Sequence, residues 1–292
     1  MKKISIGILT YNHEHFIEKC LKSVLSSNYP NLEIVISDDA SKDKTMDVIE
    51  NLIANVQTSH TILFHKNATN LGLAGNFNKI FREMATGDFL VTLGGDDMIK
   101  QDYFELAVSY FEKDSQLMML DFNADIIDEN DQVTKLASSL GYETKFVELN
   151  SYLAVEPIST FAPGRMVRKE LVHNFEPISE SCPTEDSVLV LRALMLGKIG
   201  RLSKGVILYR KHSFNISSSA NLQKLSNPRI ITQYLKDAIH LYNQNQISEA
   251  QIGKLLDRIN YEYHRREILY KKEKTIVERL KFKLRKFLLL NS

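Results

Sequence analysis

The run Phe89-Leu90-Val91-Thr92-Leu93-Gly94-Gly95-Asp96-Asp97 joins a strand-like apolar segment to two glycines and two adjacent carboxylates. Glycine lets the backbone approach a ligand with no Cβ in the way. Neighbouring carboxylates repel unless a cation or hydrogen-bond donors compensate them, and hard divalent cations take oxygen ligands. At the carboxyl end of a strand in an α/β sheet such a pair stands where ligands bind in these folds. The chemistry this suggests is a divalent cation carrying a phosphorylated ligand. The same residue types also suit a polar turn in which Asp96 or Asp97 caps the next helix. Other polar clusters follow apolar segments: Thr10-Tyr11-Asn12, Asp38-Asp39, Glu185-Asp186 and Arg210-Lys211-His212.

The elements that must position these residues alternate in type. Residues 4–10, 32–37, 61–65 and 88–93 read as buried strands. Residues 15–26, 44–55 and 73–84 carry apolar positions at helical spacing. Strand–helix alternation predicts a mixed, mostly parallel central sheet of the α/β class, flanked by helices and joined by right-handed crossovers. Thr10-Tyr11-Asn12, Asp38-Asp39 and Asp96-Asp97 then share one rim of that sheet. Further on, 117–124, 162–167, 199–202 and 206–209 read as strands and 185–196 as a helix. The chain from 228 onward reads as all-helical. A boundary near 220 divides a catalytic domain, 1–220, from a helical C-terminal extension, 221–292.

Composition narrows the class. The chain has 292 residues, a formal net charge of +1, 43% hydrophobic and 25% charged residues, which is ordinary for a soluble globular protein. The near-zero net charge gives no global field for nucleic acid. Cys20 and Cys182 form no motif, in keeping with a reducing cytoplasm. The apolar run after Lys2-Lys3 is too short for a signal peptide, and no stretch reaches the ~20 apolar residues of a membrane span. The charge is unevenly spread, however. Residues 271–286 hold eight Lys or Arg against two Glu, with Val277, Leu280, Leu284, Phe287 and Leu288 at helical spacing. This basic amphipathic segment, 271–290, suits either peripheral contact with an anionic membrane or docking on the domain.

The ordered motifs resemble the family-2 glycosyltransferases of GT-A fold over roughly residues 3–215. They are Ser5-Ile6-Gly7-Ile8-Leu9-Thr10-Tyr11-Asn12, Ser37-Asp38-Asp39-Ala40-Ser41, Asn70-Leu71-Gly72 with Asn76, Gly94-Gly95-Asp96-Asp97, Thr184-Glu185-Asp186 and Tyr209-Arg210-Lys211-His212. The resemblance implies a Rossmann-like GT-A domain and a nucleotide-sugar donor, such as a UDP-sugar. Thr10, Tyr11, Asn12, Asp38, Asp39, Ser41, Asn70, Gly72 and Asn76 would surround the nucleotide, with Asp39 accepting from an imide N–H of the base. Asp97 would ligate Mn²⁺ or Mg²⁺, Asp96 would share the metal or face the ribose, and His212 would touch the metal or a phosphate. Arg210 would face the diphosphate. Asp186, beside Glu185, would be the general base of an inverting transfer. Where many relatives have a further Asp, this chain has Gly94, so diphosphate and water would complete the metal's ligands. The other histidines, including His13, form no metal-spaced set and read as structural or surface.

The acceptor implied by the tail is a saccharide or lipid-linked saccharide of cell-envelope, capsule or lipopolysaccharide synthesis, reached from the cytoplasmic face of the membrane. Residues 213–221, rich in Ser and Asn, would form a lid. Two other readings remain at this point. A sugar nucleotidyltransferase shares the sheet and the metal carboxylates, but it calls for a glycine-rich basic loop where Tyr11-Asn12-His13-Glu14 stands. A non-catalytic nucleotide-sugar-binding scaffold at the membrane is the other.

Overall fold

Buried strands alternating with helices produce one mixed sheet with helices on both faces. The computed structural model describes residues 1–154, 158–213, 215 and 227–270. The basic segment 271–290 and most of 213–221 lie outside the described residues. In chain order the strands are β1 (Ile4–Thr10), β2 (Leu32–Asp38), β3 (Thr61–Lys66), β4 (Phe89–Gly94), β5 (Met98–Ile99), β6 (Leu117–Ile127), β7 (Val133–Lys135), β8 (Lys145–Glu148), β9 (Arg165–Arg168) and β10 (Lys198–Arg210). The helices are α1 (Ile17–Leu25), α2 (Thr45–Asn55), α3 (Gly72–Asn78), α4 (Tyr103–Lys113), α5 (Leu149–Leu153), α6 (Glu170–His173), α7 (Asp186–Leu196), α8 (Asn227–Asn243) and α9 (Glu249–Tyr270).

The sheet runs β3-β2-β1-β4-β9-β6-β10-β5, with β7 on β6 and β8 on β10. Strands β3, β2, β1 and β4 are mutually parallel, so their carboxyl ends share one rim. Beyond β4 the sheet changes direction: β9 is antiparallel to both β4 and β6, while β10 runs parallel to β6. Successive side chains of a strand point to opposite faces. Ile4, Ile6, Ile8, Ile34 and Ile36 accordingly join α1 and α4 in one core, and Leu9 and Val35 join α3, α7, α8 and α9 in the other. Burial on both faces is why β1 and β2 read as continuous apolar runs.

Several elements depart from the sequence expectations. The helix expected over 73–84 is α-helical only to Asn78 and then widens into a π-helical turn, Lys79–Met84, closed by Ala85 N–H donating to Ile80 O at 2.8 Å. Residues 199–202 and 206–209 belong to one strand, β10, whose irregular register against β6 between Arg201 and Ile207 absorbs Leu202-Ser203-Lys204 as a bulge. Helix α4 has no counterpart among the sequence expectations, although Tyr103, Phe104, Ala107, Val108 and Phe111 are buried at helical spacing. The C-terminal helices are locked to α7 by a buried ion pair. Arg192 Nε and Nη2 donate to Asp237 of α8 at 2.7 and 2.9 Å, and the same guanidinium lies 4.6 Å from the Phe175 ring. Among the described residues no helix is long and apolar enough to cross a membrane.

Ala40, in the loop after β2, has φ +61°. A Cβ in this region costs about 1–2 kcal/mol. Ala40→Gly is therefore expected to raise unfolding free energy by about 1 kcal/mol, read as a higher urea midpoint with an unchanged m-value. An unchanged or lower midpoint would show that no strain is stored there.

Candidate active site

Loops after β1, β2 and β3 are laced together before any ligand is considered. Asn12 N–H donates to Ser41 Oγ at 2.8 Å, and Lys42 N–H donates to Asn12 Oδ1 at 2.8 Å. Asp38, fully buried, accepts from Ser41 N–H at 2.9 Å and also from the Ser41 hydroxyl. Asp39 accepts from Asn67 Nδ2 at 2.9 Å, Leu71 N–H at 2.7 Å and Gly72 N–H at 2.9 Å. Gly72 has φ +73°, a conformation that side chains disfavour, and this turn is what delivers two successive amides to one carboxylate. These bonds use three of the roughly four acceptor positions of Asp39. Asn70 Nδ2 donates to Asp39 O at 3.2 Å. Asn76 is buried, donating to Ser37 O at 3.2 Å and accepting from Asn67 at 3.0 Å. Asp38 and Asn76 thus act as struts of the rim, whereas Tyr11 is exposed on it.

A cavity of about 790 Å³ opens beside this rim, and Asp96, Asp97, Glu185 and Asp186 all line it. Asp96 follows β4; its Oδ2 lies 2.9 Å from His212 Nε2, 3.3 Å from Asn215 Nδ2 and 4.0 Å from His13 Nε2. Burial works to raise the Asp96 carboxyl, but the His212 bond and the His13 charge outweigh it and hold it below the usual range. Asp97 Oδ1 accepts from Arg210 N–H at 2.9 Å. Burial, and then the Asp96 charge, push the Asp97 carboxyl well above the usual range. A buried carboxylate so penalised is what a bound cation relieves.

The remaining oxygens fit such a cation. A Cβ built on Gly94 would stand 2.6 Å from Asp96 Oδ1 and 3.6 Å from Asp97 Oδ2, so both oxygens face the space that Gly94 leaves open. Two hard oxygens over a bare backbone suit Mg²⁺ or Mn²⁺ completed by ligand phosphate and water. Among the described residues no group of three or more His, Cys, Asp or Glu is placed to hold a metal. Arg210 does not face this space. It is fully buried: Nε donates to Asp96 O at 2.9 Å, Nη1 to Asp128 O at 2.7 Å, and Nη2 lies 2.6 Å from Asp131 Oδ1. Its guanidinium holds the Asp96 backbone rather than offering itself to a phosphate.

Glu185 and Asp186 open α7. Asp186 N–H donates to Thr184 Oγ1 at 3.3 Å, so a local hydroxyl helps start the helix. Arg165 of β9 fixes the position from below. Its Nε and Nη2 donate to Asp121 of β6 at 2.7 and 3.0 Å, and Nη1 donates to the Asp186 carbonyl at 2.6 Å. Burial raises the Asp186 carboxyl against the pull of the Arg165 charge. Burial, and then the Asp186 charge, push Glu185 up to about 8, and its buried Oε2 makes no hydrogen bond among the described residues. Glu185 thus holds its proton well above the usual carboxyl range.

His13 escaped the sequence reading: it lines the cavity beside Asp96, and its place two residues after Tyr11, on the same rim, was the available signal. The Pro163-Gly164-Arg165 turn, which the sequence suggests lies near an acceptor, contributes Pro163 and Arg165 to the cavity lining, but the partners of Arg165, Asp121 and Asp186, are distant in sequence.

With this geometry in place, the similarity to known proteins is specific. The Glycosyl transferase family 2 model matches residues 5–174. The chain is 30% identical over 225 residues to the uncharacterized glycosyltransferase alr2836 of Nostoc sp., covering 75% of this chain and 67% of that one. Its fold is similar to that of S. aureus TarS 1-349, solved in complex with UDP-GlcNAc, with TM-score 0.66, 20% identity, and coverage of 97% of this chain and 79% of that fragment. It is also similar to the mannosyltransferase PcManGT of Pyrobaculum calidifontis, solved with GDP-Man and Mn2+, with TM-score 0.61, 15% identity, and coverage of 99% and 74%. The protein is a glycosyltransferase: the chain belongs to glycosyltransferase family 2, and its sheet and flanking helices are GT-A-like.

The elevated Glu185 gives a prediction for stability. An unfolded Glu titrates near 4.5, and in the folded chain it titrates near 8. Between those values the folded state keeps a proton that the unfolded state has lost, so this group's contribution falls as pH rises. Glu185→Gln has nothing to ionise. The melting temperature of the variant is expected to gain on wild type steadily from pH 5 to pH 8. Parallel profiles would show that Glu185 is not held protonated.

Proposed function

We propose that this chain transfers a sugar, with inversion, from a nucleoside-diphosphate sugar to a hydroxyl of a saccharide or lipid-linked saccharide, using Mn²⁺ or Mg²⁺. The observation that carries the reading is the meeting of Asp96 and Asp97 with Asp186 in one cavity, at the rim where parallel β strands end. That TarS was solved with UDP-GlcNAc and PcManGT with GDP-Man and Mn2+ supports a donor and a metal of these classes.

In this reading Thr10, Tyr11, Asn12, Ser41, Asn70 and Gly72 form the nucleotide side of the rim. The acceptor position left on Asp39 takes a base N–H, and Asp38 and Asn76 hold the loops in place. Asp96 Oδ1 and Asp97 Oδ2 hold the cation, with His212 orienting Asp96; the cation would supply charge neutralisation for the departing diphosphate. Arg210 fixes the backbone of the Asp96-Asp97 turn. Asp186 accepts the proton of the acceptor hydroxyl as its oxygen attacks the anomeric carbon. The bond to the diphosphate breaks on the opposite face, so configuration inverts. The Arg165 charge favours the ionised form of Asp186 beside the hydroxyl. Burial raises its proton affinity, which suits a base working near neutral pH. The basic segment 271–290 would bring the enzyme to the cytoplasmic face of an anionic membrane.

Steady-state transfer, followed as nucleoside diphosphate release with a panel of nucleotide sugars and saccharide acceptors, tests this. Asp186→Asn is expected to lower the transfer rate by about 10²–10⁴-fold while donor affinity changes little, as for loss of a positioned base. Asp97→Ala should lose donor affinity and rate together. Wild-type transfer in both variants would contradict the mechanism.

A further inference from the structure

The cavity extends past Asp186 to a wall built by α9. Arg258, Glu262, Arg265 and Arg266 of that helix line it, together with Tyr152 and Tyr234. Three guanidiniums here share one carboxylate. Glu262 accepts from Arg258 Nη1 at 2.5 Å and from Arg265 Nε at 2.8 Å, and its Oε2 lies 4.0 Å from Arg266 Nε. Arg258 is anchored further by Tyr152 O at 2.7 Å and by the Tyr152 ring at 4.1 Å. Arg266 Nη2 donates to Tyr234 Oη at 3.2 Å. The wall therefore gathers three guanidiniums on one carboxylate in the same cavity that Asp96, Asp97, Glu185 and Asp186 line.

Arg258 and Arg266 are largely committed to protein atoms, whereas Arg265 is the most open of the three, with 39% of its side chain exposed. Among the described residues its guanidinium bonds only Glu262, through Nε, which leaves the Nη edge for a ligand. A planar fork of this kind matches phosphate or carboxylate oxygens, and a concave site with low-dielectric walls strengthens the attraction.

We propose that this wall is an acceptor subsite for an anionic oxygen group, phosphate or carboxylate, with Arg265 in direct contact and Arg258 and Arg266 supplying the field behind it. The proposal rests on Asp186 marking the acceptor side of the cavity. An acceptor held at both its anion and its reacting hydroxyl is fixed in register, so only a hydroxyl at the matching distance reaches Asp186.

The test uses the full chain saturated with uridine or guanosine diphosphate and Mn²⁺, whichever nucleotide binds, so that the donor end is closed to other anions. Glycerol 3-phosphate, glycerate and glycerol are titrated at constant ionic strength and followed by isothermal titration calorimetry. Glycerol 3-phosphate or glycerate is expected to bind where glycerol does not, and the better of the two identifies the acceptor group as phosphate or carboxylate. Arg265→Gln should weaken that binding about tenfold or more, as loss of a charge-assisted contact does, and Arg265→Lys should recover part of it. Equal affinity in wild type and Arg265→Gln, or no preference over glycerol, would overturn the subsite while nucleotide binding leaves the donor assignment standing. Failure of wild type to bind any nucleoside diphosphate with Mn²⁺ would overturn both.

Discussion

Four carboxyl groups, Asp96, Asp97, Glu185 and Asp186, line one cavity, and like charges at such close quarters are tolerable only if each is answered by a different fixed partner. Asp96 is answered by His212 and His13, Asp97 by the Arg210 backbone N–H, and Asp186 by the Arg165 charge. At Glu185 burial and the Asp186 charge outweigh the pull of Arg165, and its carboxyl is pushed up to about 8. The surrounding structure serves this arrangement. Arg165 is fully buried because it must reach from Asp121 to the start of α7, and Arg210 is buried because it must hold the turn after β4. Burying such guanidiniums is costly unless their hydrogen bonds are satisfied, and several carbonyl oxygens and carboxylates do this here.

The change of strand direction beyond β4 is what lets two chemically different groups face each other. The parallel strands bring the loops after β1, β2 and β4 to one rim. The antiparallel strand β9 then carries Arg165 back along β4, so that its side chain can tie β6 to α7. The ion pair between Arg192 and Asp237 secures α8 to α7, and with it the helical wall that closes the cavity beyond Asp186. Asp96 and Asp97 are thus placed by the sheet, and Asp186 and the arginines of α9 by helices packed on it.

Legibility in the sequence followed the range of each interaction. Strands β1, β2 and β4 were plain because double-sided burial writes an unbroken apolar run. Asp96, Asp97 and Asp186 stood out because their significance lies in their immediate neighbours. The orientation of Arg210 was not readable: a basic residue after a strand suits a phosphate as well as a carbonyl, and Asp128 and Asp131 lie some eighty residues away. The cavity arginines of α9 were hidden for the same reason. In the sequence they belong to a charged helix like many others, and only packing against α8 and Tyr152 turns them inward. The widening of the helix after Asn78 and the bulge in β10 preserve side-chain pattern while changing backbone register, and residue types alone do not record that.

The central claim is that Asp96 and Asp97 form a seat for a divalent cation that is complete only with a bound diphosphate. Isothermal titration of Mn²⁺ into the protein, with and without saturating nucleoside diphosphate, measures this directly. The account predicts weak binding of Mn²⁺ alone and binding at least tenfold tighter with the nucleotide present, after correction for metal held by the nucleotide in solution. Reciprocal linkage then requires the same gain in nucleotide affinity when Mn²⁺ is present. Equal Mn²⁺ affinity in the two titrations would contradict the claim.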